Sequence, residues 1–105
     1  MMKALYEQAQ DAANALRVLA HPDRLMVLCQ LCESEASVSQ LLESSRLSQS
    51  AFSQHLQVLR AAGMVETRKE AQTVFYRVDN KKVRALMAAI QGAWCEEFRA
   101  DIKNE

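Results

Sequence analysis

The fold of this chain can be read from one stretch, Leu47-Ser48-Gln49-Ser50-Ala51-Phe52-Ser53-Gln54-His55-Leu56-Gln57-Val58-Leu59-Arg60-Ala61-Ala62-Gly63. Its large apolar side chains, Phe52, Leu56 and Leu59, recur at steps of four and three and therefore share one face of a helix. Ser48 is a favourable N-cap, and the glycine that closes the stretch is a common helix stop. The stretch predicts a helix from Gln49 to Ala62 with one buried face.

The segments on either side complete a recognisable unit. Before the stretch, Ser37 can cap a short helix from Val38 to about Ser44, and two helices joined by a tight turn form a helix-turn-helix. After it, apolar and polar residues alternate in residues 65–69 and 73–78, which predicts a β-hairpin that turns at Glu70-Ala71-Gln72. A hairpin directly after a helix-turn-helix is the wing of a winged helix-turn-helix.

Helical periodicity also marks both ends of the chain. Apolar and small residues from Leu5 to Leu19 predict a first helix, which His21-Pro22 ends because the residue before a proline disfavours helical geometry. A second helix is predicted from Pro22 to about Ser34, and a long last helix begins after Asn80 and carries an apolar stripe from Val83 to Phe98. We therefore expect one mainly α domain over residues 1–105, a winged helix-turn-helix with an added helix at each end.

Composition narrows the class of protein. The chain has 105 residues, 13 basic and 13 acidic, and its three cysteines are too few and odd in number for a disulfide framework. No uncharged apolar run approaches the roughly 18 to 20 residues of a membrane span, so we expect a cytoplasmic protein without a membrane partner. Neither a Ser-His-Asp set, a glycine-rich loop nor a metal motif is recognisable, and we expect no enzyme activity.

Charge is unevenly distributed along this neutral chain. Residues 45–77 hold five basic side chains against two acidic ones, whereas residues 1–44 hold three against six. Small uncharged polar groups face outward on the Gln49 to Ala62 helix, and such groups can read base edges in the major groove. The alternative is a solvated polar face without a partner. The residues predicted to contact double-stranded DNA are Ser48, Gln49, Ser50, Ser53, Gln54, His55 and Arg60 of the helix and Arg68, Lys69, Gln72 and Thr73 of the hairpin.

The same residues resemble a known family. The run from Leu47 to Leu56, followed by Leu59-Arg60-Ala61-Ala62-Gly63-Met64-Val65, is similar to the signature of the ArsR/SmtB winged-helix repressors, and His21-Pro22-Asp23-Arg24-Leu25 resembles the start of that family's second helix. The resemblance implies a homodimer joined through the first and last helices, with two recognition helices presented to a two-fold symmetric operator. The apolar faces of the first and last helices also favour a homodimer, because a domain of this size cannot cover both by itself.

The metal sites of this family are not expected here. The third helix begins Ser37-Val38-Ser39, where arsenic- and cadmium-sensing members carry a cysteine pair, and the last helix lacks the histidine of zinc-sensing members. We predict that His21 is a helix-junction residue and His55 a recognition-helix residue, neither of them a metal ligand. No cofactor is expected.

The cysteines remain as candidate sensing residues. Cys29 in the second helix and Cys95 in the last, together with the wing from Arg68 to Tyr76, resemble the HlyU and BigR thiol-sensing branch. The resemblance implies that this pair is joined by a disulfide or a bridge of extra sulfur atoms when an oxidant or reactive sulfur is present. The residues alone leave open that both cysteines are simply small, buried apolar side chains.

A third thiol adds a further alternative. Cys32 departs from the branch, and with Cys29 and Cys95 it could supply three sulfurs to a soft ion such as trivalent arsenic. A winged-helix DNA binder with no sensing role is another alternative.

Overall fold

The computed structural model of the protein describes residues 2–94 and confirms the predicted order of elements. Cys95 and Phe98, both predicted to lie in the last helix, are outside the described residues. Within the described range the helices are α1 (Met2–Leu19), α2 (Pro22–Glu33), α3 (Val38–Glu43), α4 (Gln49–Ala61) and α5 (Lys81–Trp94), and the strands are β1 (Ala36–Ser37), β2 (Glu66–Glu70) and β3 (Thr73–Arg77).

Side-chain caps explain where the helices begin. Ser37 and Gln40 form a reciprocal capping box at the start of α3, with Gln40 N donating to Ser37 Oγ at 3.2 Å and Ser37 N donating to Gln40 Oε1 at 2.8 Å. Ser48 Oγ accepts from Ala51 N at 3.3 Å at the start of α4. Both serines were predicted as caps, and both are confirmed.

The wing is part of a three-stranded sheet. Strands β2 and β3 form the predicted antiparallel hairpin, in which Glu70 pairs with Thr73, and β1 pairs with the other edge of β3 through Ala36 and Tyr76. The sequence did not reveal β1, since two residues are too few to show an alternation. Because β1 leads directly into α3, backbone hydrogen bonds fix the wing relative to the helix-turn-helix.

The hydrophobic core lies between α2, α4 and the first part of α5. Leu28 of α2 and Leu59 of α4 are completely buried, and Phe52 and Leu56 are each 2% exposed, as the helical spacing predicted. Full burial of a leucine or phenylalanine side chain is favourable by roughly 1.5 to 3 kcal/mol. This packing anchors α4 by its inner face and leaves its other face open.

Residues 2–94 leave a large apolar surface uncovered on α1 and on the end of α5. Leu5 is 61% exposed, Leu16 53% and Trp94 79%. Leu16 and Trp94 line an apolar groove of roughly 670 Å³ between α1, α2 and α5. Uncovered apolar surface of this kind marks an interaction site, as expected from the sequence. No helix among residues 2–94 has the length and hydropathy needed to cross a membrane.

Among residues 2–94, two backbone positions carry a positive φ, and they make matched test sites. Gly63 has φ +73° after α4, and Ala71 has φ +55° at the hairpin turn.

We expect Gly63→Ala to destabilise the protein by about 1 kcal/mol because a Cβ is strained there. Ala71→Gly should stabilise it by about 0.5 kcal/mol, as the relieved strain exceeds the added chain entropy. Urea denaturation at a fixed protein concentration measures both, and a shift of the same sign in the two variants would contradict the assignment.

Candidate DNA interface and cysteine site

The outward face of α4 is polar and, before Arg60, uncharged. Gln49, Ser50, Ser53, Gln54 and Gln57 are all exposed, because the apolar residues of the same helix turn toward the core. Amide and hydroxyl groups offer both hydrogen-bond donors and acceptors. The helix is therefore suited to contact base edges in a major groove.

A groove of roughly 580 Å³ separates α4 from the wing. Ser53, Gln57, Arg60 and Ala61 form its helical side, and Tyr76 of β3 forms the other. Gln57 and Tyr76 were not among the predicted contact residues. Tyr76 gave little signal in the sequence because its alternating position in the hairpin is equally typical of a core residue.

Arg68 of the wing is engaged by carboxylates. Its Nε donates to both carboxylate oxygens of Glu35 at 2.9 Å, its Nη1 donates to Glu70 at 2.9 Å, and its guanidinium stacks on the Phe75 ring at 4.6 Å. The hydrogen bond from Arg68 holds the pKa of Glu35 below its usual value, and the two carboxylates raise the pKa of Arg68. A DNA phosphate would have to compete with these carboxylates for the Arg68 guanidinium.

The other basic side chains of residues 45–77 differ in whether they form an ion pair with a carboxylate. Arg77 pairs with Glu66 at 3.2 Å, whereas Arg46, Arg60 and Lys69 make no ion pair with any residue from 2 to 94. Arg60 borders the groove beside α4, and Lys69 is exposed near the hairpin tip. These unpaired cations are therefore better placed than Arg68 to neutralise phosphates.

The structure brings His21, Asp23 and His55 together, which the sequence did not indicate. The two imidazole rings lie 4.2 Å apart between their centroids, and all three residues have potential metal-ligand atoms within 4.8 Å of one another. His21 Nδ1 accepts from Asp23 N at 3.2 Å and so caps α2, while His55 Nδ1 accepts from Arg24 Nε at 3.1 Å.

These hydrogen bonds argue against a metal site at the cluster. A neutral imidazole has one lone pair on its ring nitrogens, and in both histidines Nδ1 already uses it to accept an N–H. Each ring therefore carries its hydrogen on Nε2 and is a donor there. The 3.5 Å approach of Asp23 Oδ2 to His21 Nδ1 does not change this, because the shorter amide contact requires the same nitrogen to be an acceptor.

The surroundings of His55 make the stability of the fold depend on pH. Burial lowers the pKa of His55, the His21 ring when protonated and the Arg24 guanidinium lower it further, and the Asp23 carboxylate opposes them. Because the folded pKa lies below the unfolded value of about 6.5, the unfolded chain takes up more protons, and this contribution to stability is lost as the pH falls below about 6.5 through the folded pKa.

We therefore expect the free energy of unfolding to fall more between about pH 7.5 and about pH 5.5 in the wild-type protein than in His55→Asn, whose amide does not titrate. Urea denaturation at each pH measures the difference. An equal fall in both proteins would contradict a lowered pKa at His55.

The cysteine site lies where α2 packs against α5. Cys29 is 1% exposed, and Gln91 of α5 donates from Nε2 to its Sγ at 2.8 Å. This contact places the predicted sensing cysteine of α2 directly beside the last helix. Cys95, its predicted partner, lies outside the described residues.

Cys32 has a different environment on the same helix. It is half-buried, and burial raises the pKa of its thiol, as does the charge of Glu33, while Arg84 opposes them. Arg84 donates to the backbone carbonyl of Cys32 at 3.3 Å, so Cys32 lies beside the start of α5 whereas Cys29 lies near its end. A thiol with a raised pKa is less reactive at neutral pH.

The fold and the polar face of α4 define a winged helix-turn-helix DNA-binding protein, and comparison with known proteins gives its family. Residues 21–67 match the family described as bacterial regulatory protein, arsR family. The transcriptional activator HlyU of Vibrio cholerae is 43% identical over 95 residues, covering 88% of both chains. The biofilm growth-associated repressor of Agrobacterium fabrum is 40% identical over 94 residues, covering 90% of this chain and 80% of that protein.

Solved structures agree with this family. Reduced HlyU from Vibrio cholerae superimposes with a TM-score of 0.84 at 40% identity, covering 90% of this chain and 99% of that one. A homodimeric winged helix-turn-helix DNA-binding domain from Mycobacterium bovis gives a TM-score of 0.75 at 26% identity, covering 90% and 88%. The chain belongs to the ArsR family. It is a DNA-binding transcriptional regulator of the HlyU and BigR type, and not an enzyme, as the sequence predicted.

Proposed function

We propose that this protein is a homodimeric regulator that binds a two-fold symmetric operator. Its affinity for the operator changes when Cys29 and Cys95 become covalently linked. The observation that carries the proposal is the contact between Cys29 and Gln91. Cys95 follows Gln91 by four residues in the sequence, and we propose that its thiol meets Cys29 beside this contact.

The dimer is supported by the uncovered apolar surface of α1 and α5. Tyr6 is 67% exposed and Trp94 79%, and Trp94 lines a groove that is almost entirely apolar. Covering such a surface with a second copy removes it from water, which is favourable by about 25 cal/mol per Å². The homodimeric Mycobacterium bovis domain, which has the same fold, provides a precedent for this assembly.

In the proposed complex α4 enters the major groove. Gln49, Ser50, Ser53 and Gln54 meet base edges, while Arg60 and Lys69 neutralise phosphates on either side. Ser48 has its oxygen committed to the cap of α4 and retains its hydroxyl hydrogen as a donor. Gln72 and Thr73 are exposed at the wing tip and extend the contact to the backbone or the adjacent minor groove.

Two substitutions separate base reading from phosphate binding. We expect Gln54→Ala to weaken specific operator binding by about 10- to 100-fold with little effect on nonspecific DNA, because a base contact is lost. Arg60→Gln should weaken binding to both and reduce the slope of log affinity against log salt by about 1. Fluorescence anisotropy over a salt series measures both effects. Ser34→Ala, at the exposed end of α2, is the control, and an effect of Gln54→Ala no larger than that of the control would exclude base reading by this side chain.

The chemistry of the switch needs one thiolate that attacks and one that resolves. With hydrogen peroxide, the Cys29 thiolate takes one oxygen to give a sulfenic acid and hydroxide, and the Cys95 thiol then displaces water to form the disulfide. With an organic trisulfide, each thiolate in turn bonds to the central sulfur and expels one alkylthiolate. The second route leaves a bridge that contains one extra sulfur atom.

Position favours Cys29 over Cys32 as the residue that is linked. Cys32 lies near Arg84 at the start of α5, about two helical turns before Gln91, and burial raises the pKa of its thiol. This arrangement argues against a set of three sulfurs for a soft metalloid ion.

A link between α2 and the last helix can change DNA affinity because α2 packs on both α4 and α5. A shift of α2 alters the position of α4 relative to the dimer helices. Coupling of about 1 to 3 kcal/mol is typical of allosteric proteins and corresponds to roughly 5- to 150-fold in affinity.

The switch is tested on anaerobically reduced protein divided between an organic trisulfide, hydrogen peroxide and arsenite. Intact mass and peptide mapping identify the linked cysteines, and anisotropy gives the affinity for DNA from the protein's own promoter. We expect a Cys29 to Cys95 link and at least about fivefold weaker binding. Cys32→Ser should behave as wild type, whereas Cys29→Ser and Cys95→Ser should bind DNA equally in all conditions.

Two results would count against the switch. Equal DNA affinity of the linked and reduced proteins would leave a DNA binder with inert cysteines. A response to arsenite alone that is lost in Cys32→Ser would indicate a soft-metalloid sensor instead.

A further inference from the structure

Arg24 joins three helices through one side chain. From the first turn of α2, its Nη1 donates to the carbonyl oxygen of Val18 at 3.1 Å, in the last turn of α1, and its Nε donates to His55 Nδ1 at 3.1 Å, in the middle of α4. The side chain is half-buried, so water competes only partly for these bonds. Arg24 thus connects a proposed dimer helix to the helix that carries the DNA-reading face.

The geometry of this link depends on the residue types at both ends. The planar guanidinium presents donors in a fixed fork, which the single ammonium of a lysine cannot reproduce. His55 must be neutral, with its hydrogen on Nε2, to accept at Nδ1, and the His21 ring packed 4.2 Å away limits its rotation. His21, Asp23 and Arg24 are the titratable or charged groups that act on His55.

We propose that Arg24 is a positioning residue, which fixes α4 relative to α1 and thereby sets the separation of the two recognition helices in the dimer. This inference rests on the homodimeric operator binding proposed above but is independent of the cysteines. In helix-turn-helix dimers the half-sites lie about 34 Å apart, one turn of DNA, so the two α4 helices must keep a matching distance. If α4 shifts relative to the dimer axis, each α4 still fits a single half-site. The two α4 helices then no longer fit both half-sites at the same time.

The proposal predicts a loss that appears only when both half-sites are bound together. The probes are a duplex with the two-fold site that wild-type protein selects from a random-sequence pool, and the same duplex with one half-site replaced. We expect Arg24→Met, which keeps much of the side-chain volume, to lower affinity for the full site at least about tenfold and for the half-site less than about twofold. The slope of log affinity against log salt should not change, because no phosphate contact is removed.

Two His55 variants keep the inference testable even if Arg24→Met does not fold. The amide oxygen of His55→Asn can replace Nδ1 as the acceptor for Arg24, whereas the longer His55→Gln places its amide near the former Nε2. We expect the ratio of full-site to half-site affinity to stay at the wild-type value in His55→Asn and to fall in His55→Gln. Any loss common to both sites would reflect a separate phosphate contact by His55.

Other outcomes would overturn the inference. Equal losses at the full site and the half-site in Arg24→Met, with a shallower salt slope, would identify Arg24 as a phosphate contact. Unchanged affinity at both sites in a folded Arg24→Met would show that Arg24 does not position α4.

Nitrogen NMR of the imidazole provides a check without DNA, since His55 should show the Nε2–H tautomer in the wild type and a mixture in Arg24→Met. The absence of that tautomer in the wild type would refute the inference. If instead wild-type protein does not prefer the full site, the dimer model of the proposed function fails, and the NMR result still decides whether the Arg24 link forms.

Discussion

The burial of one face of α4 against α2 is the constraint on which the remaining structure depends. Leu28 and Leu59 have no exposed surface, and Phe52 and Leu56 are almost as deeply buried. Because 3.6 residues make one turn, the serines and glutamines between these inward side chains lie on the opposite face of the helix and are exposed to water. The same apolar contacts that stabilise the domain therefore also present its DNA-reading surface.

Basic side chains that look equivalent in the sequence differ in their ion pairs in the structure. Arg68 and Lys69 are neighbours in the wing, but their side chains point to opposite faces of β2. One meets Glu35 and Glu70 and holds the hairpin to the segment before α3, and the other remains exposed without an ion pair among residues 2–94. A basic segment is thus a mixture of structural ion pairs and available cations, and only the latter contribute fully to the attraction for a polyanion.

The helix α2 connects all the features that bear on regulation. One side packs on α4 and carries Arg24, whose hydrogen bonds reach α1 and the recognition helix, and another packs on α5 and carries Cys29. A change of bonding at Cys29 can therefore be felt at α4 without any contact between the thiol and DNA. Rigid, closely packed helices transmit such displacements because their interiors have few voids that could absorb them.

Local patterns determined the order and type of the long elements, the serine caps of α3 and α4, and the polar face of α4. Each of these depends on residues within a few positions of one another, so periodicity and capping chemistry suffice to predict them. Tertiary structure decided the pairing of β1 with β3, the neutralisation of Arg68 by Glu35, and the contact of Arg24 with His55. These pairs are separated by tens of residues, and no local pattern encodes which of several chemically equivalent partners the folded chain brings together.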